Sequence, residues 1–242
     1  MSPRLERLTG VTVLLAALAV VLGALLGDPT IESHDDREKF VEQVENAADR
    51  IPVIYAFQVV EVASGFLTVA AGLGLYLLLR DRARLPALAG LLLFVVSCVF
   101  EAGRAFVGAA MVRAADDYTG SGLPGIGSGS EDVLELVRVL AVVHFGYFLT
   151  AFAALGIGAA AFAYGLAWST GFAPRWLGWL GLVAGGLLVF TPLAVTADVL
   201  FFPFFFGTIS TLAWLFATGL WLTLRSRTAG PLRLSRAGSA DK

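Results

Sequence analysis

Apolar positions along the chain gather into six long runs, at 9–27, 53–79, 86–112, 133–168, 176–197 and 204–224, separated by shorter polar segments. A bilayer core of about 30 Å is crossed by roughly 20 helical residues, so every run is long enough to span. The pattern predicts an all-α polytopic membrane protein, a bundle of six transmembrane helices forming one domain over residues 1–228. The first run follows Arg4 and Arg7, yet it exceeds the roughly 7–15 apolar residues of a cleaved signal peptide, and it is read as a retained span. The fourth run is too long for one crossing. Its first turns carry Glu131, Asp132, Glu135 and Arg138, so they project from the membrane, with Ser130 capping the helix and the two adjacent acids at its positive end. Thr191-Pro192 predicts a kink in the fifth span, and Phe201-Phe202-Pro203-Phe204-Phe205-Phe206 predicts a tight aromatic turn at the interface.

Between the first two spans the pattern changes period. Phe40, Val41, Val44, Ala47, Ala48 and Ile51 recur at helical spacing, with Glu38, Glu42, Glu45 and Asp49 between them, which predicts a short amphipathic helix outside the membrane. Arg4 and Arg7, then Arg80, Arg82 and Arg84, then Arg175, then Arg225, Arg227, Arg233, Arg236 and Lys242 all fall on one side of a six-span chain. The positive-inside rule makes that side cytoplasmic. A cell-membrane location with both termini inside is therefore expected, and the acidic segment 28–50 and the Gly/Ser-rich segment 116–130 lie outside. Residues 229–242 predict a disordered basic tail near anionic lipid.

Composition agrees with the pattern. The 242 residues are 57% apolar and 15% charged, against about 25% charged in soluble domains, and the mean hydropathy is +0.80. The bilayer is thus the first expected partner. A net charge of −2 leaves no basic footprint for nucleic acid. Cys98, the single cysteine, excludes an intrachain disulfide and a cysteine metal cluster.

Ionisable residues inside the spans are the default place for function. They are Glu61, Glu101, Arg104 and His144, with Asp198 at an outer helix end. At about 1.5 Å of rise per residue all lie in the outer third of the bilayer, leaving no charged path across it. Tyr55, Gln58, Glu61, Ser64 and Thr68 repeat at spacings of three and four on the second span; Ser97, Glu101, Arg104 and Gly108 do so on the third, and His144, Tyr147 and Thr150 on the fourth. Three polar stripes at one depth predict a pocket between these helices that opens outward, lined by Tyr55, Gln58, Glu61, Glu101, Arg104, His144 and Tyr147. The i,i+3 spacing pairs Glu101 with Arg104, and Arg104, as the only fixed cation there, is the expected hub. His144 stands alone within the spans and His34 lies outside them, so two axial histidines for a haem are not supplied; no cofactor or metal site is expected. Glycines in Gly72-Leu73-Gly74 and at Gly178, Gly181 and Gly185 are read as close-packing positions.

The stretch Gly171-Phe172-Ala173-Pro174-Arg175-Trp176-Leu177-Gly178-Trp179-Leu180-Gly181, running into Ala184-Gly185, together with His144-Phe145-Gly146-Tyr147-Phe148, resembles a bacterial six-span family, domain of unknown function 4386. The resemblance implies the fold and the topology and no activity. The residues themselves leave three function classes. One is a binding or transport-associated protein whose pocket takes a small polar or lipid-like ligand. The second is a membrane enzyme using Glu61, Glu101 and His144 as acid, base or metal ligands, disfavoured by the scarcity of histidine and the lack of a nucleophile motif. The third is a structural or regulatory subunit, as a homo-oligomer or with a partner membrane chain, whose polar cluster sets helix register.

Overall fold

The structure, a computed structural model, describes residues 3–26, 31, 37–120, 130–169, 172–192 and 201–228. It is all helical among these residues: α1 Pro3–Leu26, α2 Arg37–Ala48, α3 Ile51–Leu79, α4 Arg84–Thr119, α5 Glu131–Tyr164 continued by a π turn at Gly165–Ser169, α6 Arg175–Leu188 and α7 Phe201–Thr228. Five of these, α1, α3, α4, α5 and α7, are long and apolar enough to cross a bilayer. The chain is a polytopic helical membrane protein. Leucine, valine and phenylalanine side chains such as Leu18, Val59, Phe66 and Phe106 are exposed on its flanks, as a surface bathed by lipid tails requires.

The helices close into a ring, α1 on α3, α3 on α4, α4 on α5, α5 on α6, α6 on α7 and α7 back on α1. Small residues permit the closure. A side chain at Gly10 would lie 2.8 Å from the Gly219 carbonyl, and one at Gly219 would lie 2.8 Å from the Gly10 carbonyl. The α5–α6 seam is as close: a methyl at Gly178 would strike Ala167 and Trp168, at Gly181 Ala163 and Trp214, at Gly185 the Gly156 backbone. The closely spaced glycines therefore set interhelical distance, as their spacing predicts.

One face of the ring gathers the basic connections. Arg225 near the end of α7 donates from Nη1 to the Phe172 carbonyl in the α5–α6 turn at 2.6 Å, lies 3.9 Å over the Phe172 ring and is 3.9 Å from Glu6 of α1. Gly165 at the end of α5 abuts Leu79, Ala83 and Pro86 of the α3–α4 turn. The Leu166 carbonyl accepts from both Phe172 N and Ala173 N. Thus the start of α1, both turns and the end of α7 meet at one level, and Phe172-Ala173-Pro174, leading into Arg175-Trp176, is clasped by Arg225. On this side the ring is filled by an apolar core that includes Leu75, Phe94, Phe162, Leu177 and Trp214, with Phe94 and Phe162 edge to face at 5.2 Å.

At the opposite face α2 folds over the ends of α4 and α5. Phe40, Val44 and Ala47 are buried against Met111, Val112, Ala115, Leu134 and Val137, which is the apolar stripe expected of an amphipathic helix. Arg37 bonds Glu131 at 2.6 Å, and this carboxylate raises the arginine's pKa above its ordinary value by hydrogen bond and charge. Arg138 caps the Phe40 ring at 5.1 Å. Helix α4 runs beyond its predicted end to Thr119 and stops at Gly120, whose φ of 84° is the left-handed conformation that glycine takes without strain. Helix α5, with 34 residues, is about 51 Å long at 1.5 Å each, so its acidic start does project beyond a bilayer core.

Three expectations need correction. Ser130 occupies the N-cap position of α5 but makes no side-chain cap bond; its carbonyl accepts from Leu134 N instead. Phe201–Phe206 is helix and not a turn, because Pro203 sits in the first turn of α7, where no backbone donor is needed. The fifth apolar run ends its α-helix at Leu188 after 14 residues, about 21 Å. Leu188 is the residue whose carbonyl the Pro192 ring would clash with, four positions back, so the expected kink becomes a helix end. The remainder of that run to 197, Asp198, His34 and the tail 229–242 lie outside the described residues.

Candidate functional site

Where α3, α4 and α5 face one another, three ionisable side chains meet. The Arg104 guanidinium bonds Glu61 through Nη1 and donates from Nε to His144 Nε2 at 3.2 Å. Its plane lies over Phe148 at 4.5 Å and near Phe57 at 5.9 Å. The Arg104 and Glu61 side chains are only 5% and 10% exposed, so the pair holds its charges by mutual contact and aromatic faces rather than by water. Since His144 Nε2 accepts, the imidazole carries its proton on Nδ1 and is neutral. Arg104 is the hub that its position in the sequence predicts.

Glu101 is arranged differently from expectation. The i,i+3 pair with Arg104 is not what the structure builds: the guanidinium reaches across to α3 and α5, and Glu101 Oε2 is buried with no hydrogen-bond partner among the described residues. The physical reason is that Glu101 occupies a notch on α3. A methyl at Gly65 would come within 2.7 Å of Glu101 Oε2 and 3.1 Å of Cys98 Sγ, so the absent side chain of Gly65 is the space the carboxylate uses. Ser97, one turn back on α4, is fully buried, and its Oγ likewise closes no hydrogen bond of good geometry among the described residues.

Beside this cluster lies a cavity of about 190 Å³. Its polar lining is Glu61, Ser64, Glu101, Arg104 and Thr208; its apolar lining is Ala19, Val20, Gly23, Phe57, Phe148, Phe152, Leu155 and Leu212. Five helices contribute, so the site is larger than the α3–α4–α5 pocket that the stripes imply. Phe148, Phe152 and Phe204 form an aromatic triangle between α5 and α7, with centroid separations of 4.7, 5.4 and 5.3 Å. The Thr208 hydroxyl bonds back to the Phe204 carbonyl at 3.0 Å, which satisfies it within its own helix.

Of the residues that the stripes select, Glu61, Ser64, Glu101 and Arg104 line the cavity. His144 supports Arg104 from behind, and Gln58 is buried beside it against Gly108. Tyr55 is 42% exposed on the flank of α3. Tyr147 packs on Gly103 and the Phe100 ring of α4, the ring centroids 5.5 Å apart. Phe148, Phe152 and the α1 and α7 residues are the part that the polar stripes do not reveal. Phe148 carries a signal even so: it follows His144 by four positions, a closer helical neighbour than Tyr147.

The description "Domain of unknown function (DUF4386)" belongs to a family model that matches residues 8–225. No curated protein and no solved structure matches the chain. Because the match takes in every helix described above apart from the outermost residues of α1 and α7, the chain belongs to this family.

Proposed function

We propose, with that membership as premise, that the chain is a binding or transport-associated protein of the cell membrane, its termini cytoplasmic, whose cavity takes a small ligand with one polar end and an apolar body from the outer side. The observation that carries this is the two-sided lining: carboxylates and a guanidinium on α3 and α4 face phenylalanines and aliphatic residues on α5, α1 and α7 across about 190 Å³. Ligand pockets combine a mostly apolar wall with a few convergent polar groups. A cluster serving only helix register has no need of the space beside it. The enzyme reading is less favoured, since His144 is already an acceptor for Arg104 and does not line the cavity.

The test is to release small molecules by denaturing the purified protein and to identify them by mass spectrometry, beside a Leu212→Trp variant whose indole fills the cavity. A small amphipathic molecule present in the wild type and absent from the variant is expected. Identical extracts from both proteins would contradict the proposal.

A further inference from the structure

Resting on the binding reading above, the charges and size of the cavity allow its ligand class to be narrowed. Its lining holds two carboxylates, Glu61 and Glu101, and one guanidinium, Arg104. Arg104 is bonded to Glu61 and to neutral His144, so its charge is matched and it presents no vacant cation to an anionic ligand. Glu101 differs in making no ion pair among the described residues, and its Oε2 is buried without a hydrogen bond of good geometry there. A carboxylate in a low-dielectric surround is stable as an anion only with a positive partner or donors. The aromatic lining is Phe57 on α3 with Phe148 and Phe152 on α5; Arg104 already lies over Phe148 and near Phe57, and ring faces of this kind attract cations and accept apolar groups alike.

We infer that the cavity is a site for a small organic ammonium ion, its nitrogen bonded to the Glu101 carboxylate and its apolar body against Phe57, Phe148 and Phe152. Size sets the scale of the ligand. A cavity of about 150 Å³ holds benzene, so about 190 Å³ admits one ring or a short alkyl chain with an amine arm. Gly65 has no side chain to press on the carboxylate, since a methyl there would lie 2.7 Å from Oε2.

Three probes of one shape and different charge separate the alternatives: benzylammonium, benzyl alcohol and benzoate, titrated into the full chain in phosphatidylglycerol nanodiscs with empty nanodiscs subtracted. Benzylammonium should bind saturably, at least about tenfold more tightly than benzyl alcohol, and benzoate should not bind. Glu101→Gln should weaken benzylammonium by about tenfold or more, the scale of a hydrogen bond to a charged group, and leave benzyl alcohol unchanged. Glu101→Asp, which withdraws the carboxylate by one methylene, should act in the same direction and serves if Glu101→Gln does not fold. Added phosphatidylethanolamine will compete with benzylammonium if the amine comes from a lipid headgroup and will not if it is a free amine; either result upholds the ammonium class. Equal affinity for benzyl alcohol, or benzylammonium binding indifferent to both Glu101 variants, would overturn the ammonium inference and leave the binding reading standing. Absence of saturable binding by any probe, or undiminished binding in Leu212→Trp, would overturn both.

Discussion

Arg104 lies close to two carboxylates and binds one of them, and the choice follows from rotation about helix axes. Glu101 is on the same helix as Arg104, and at i,i+3 the two side chains can meet only by folding toward one another along the surface; Glu61 approaches from α3 directly. Sequence spacing reports neighbours on one helix and is silent on how two helices are turned, which is why the cluster was legible and its pairing was not. The same geometry explains Tyr55. Each three-residue step on an α-helix falls about 60° short of a full turn, so the run Tyr55, Gln58, Glu61, Ser64 winds through about 180° and puts an exposed tyrosine opposite a buried serine. On α4 the steps alternate between four and three, Ser97, Glu101, Arg104, Gly108, and that stripe stays on one face, with Ser97, Arg104 and Gly108 all buried. Two predictions belong at this scale. Arg104→Ala should cost about 3–5 kcal/mol in thermal or denaturant unfolding, because it leaves Glu61 as a buried charge. Adding Glu61→Gln should recover a large part of that loss and adding Glu101→Gln much less; equal recovery by the two would place Arg104 between both acids. Gly65→Ala should displace the Glu101 carboxyl, 2.7 Å from the new methyl, and weaken benzylammonium binding with little change in stability, an outcome read by the same titration.

Helices are more legible in the sequence than their ends. Long apolar runs and the period of α2 need only composition and spacing, because a bilayer forces backbone groups to bond within each segment. The ends depend on local rotation. Ser130 has the residue type and the extended backbone of a cap and still makes no side-chain cap bond, and the phenylalanine-rich start of α7 continues as helix because its proline falls where the first turn tolerates it. The glycines of α6 are legible as packing positions, and the structure adds which ones matter. Gly185 faces the backbone of Gly156, whereas a methyl placed on its neighbour Gly186 would have nothing within 4 Å. Gly185→Ala should therefore destabilise by about 1–3 kcal/mol, since backbone cannot move aside as a side chain can. Gly186→Ala should be neutral or stabilising by up to about 1 kcal/mol from helix propensity. Comparable melting temperatures for the two variants would remove the α5–α6 contact from the fold's essential seams.

At the scale of the whole molecule, the ring has a filled half and a half with a cavity. The filled half adjoins the face where Arg225 joins α1, α7 and the α5–α6 turn; the cavity lies toward the face covered in part by α2. An exposed position at each face reports sidedness. In a Cys98→Ser background, Asp81→Cys on the α3–α4 turn should stay unlabelled by an impermeant thiol reagent in intact cells, and Thr119→Cys at the end of α4 should label; the reverse pattern would invert the protein in the membrane. The polar cluster and the cavity beside it are the part of the molecule from which its function is argued, so the most direct measurement is a density map from crystals grown in a lipid phase. Arg104 bonded to Glu61 and His144, with density from a bound small molecule between Glu101 and the Phe148–Phe152 wall, is the result predicted. A collapsed cavity with Glu101 drawn onto Arg104 would contradict it.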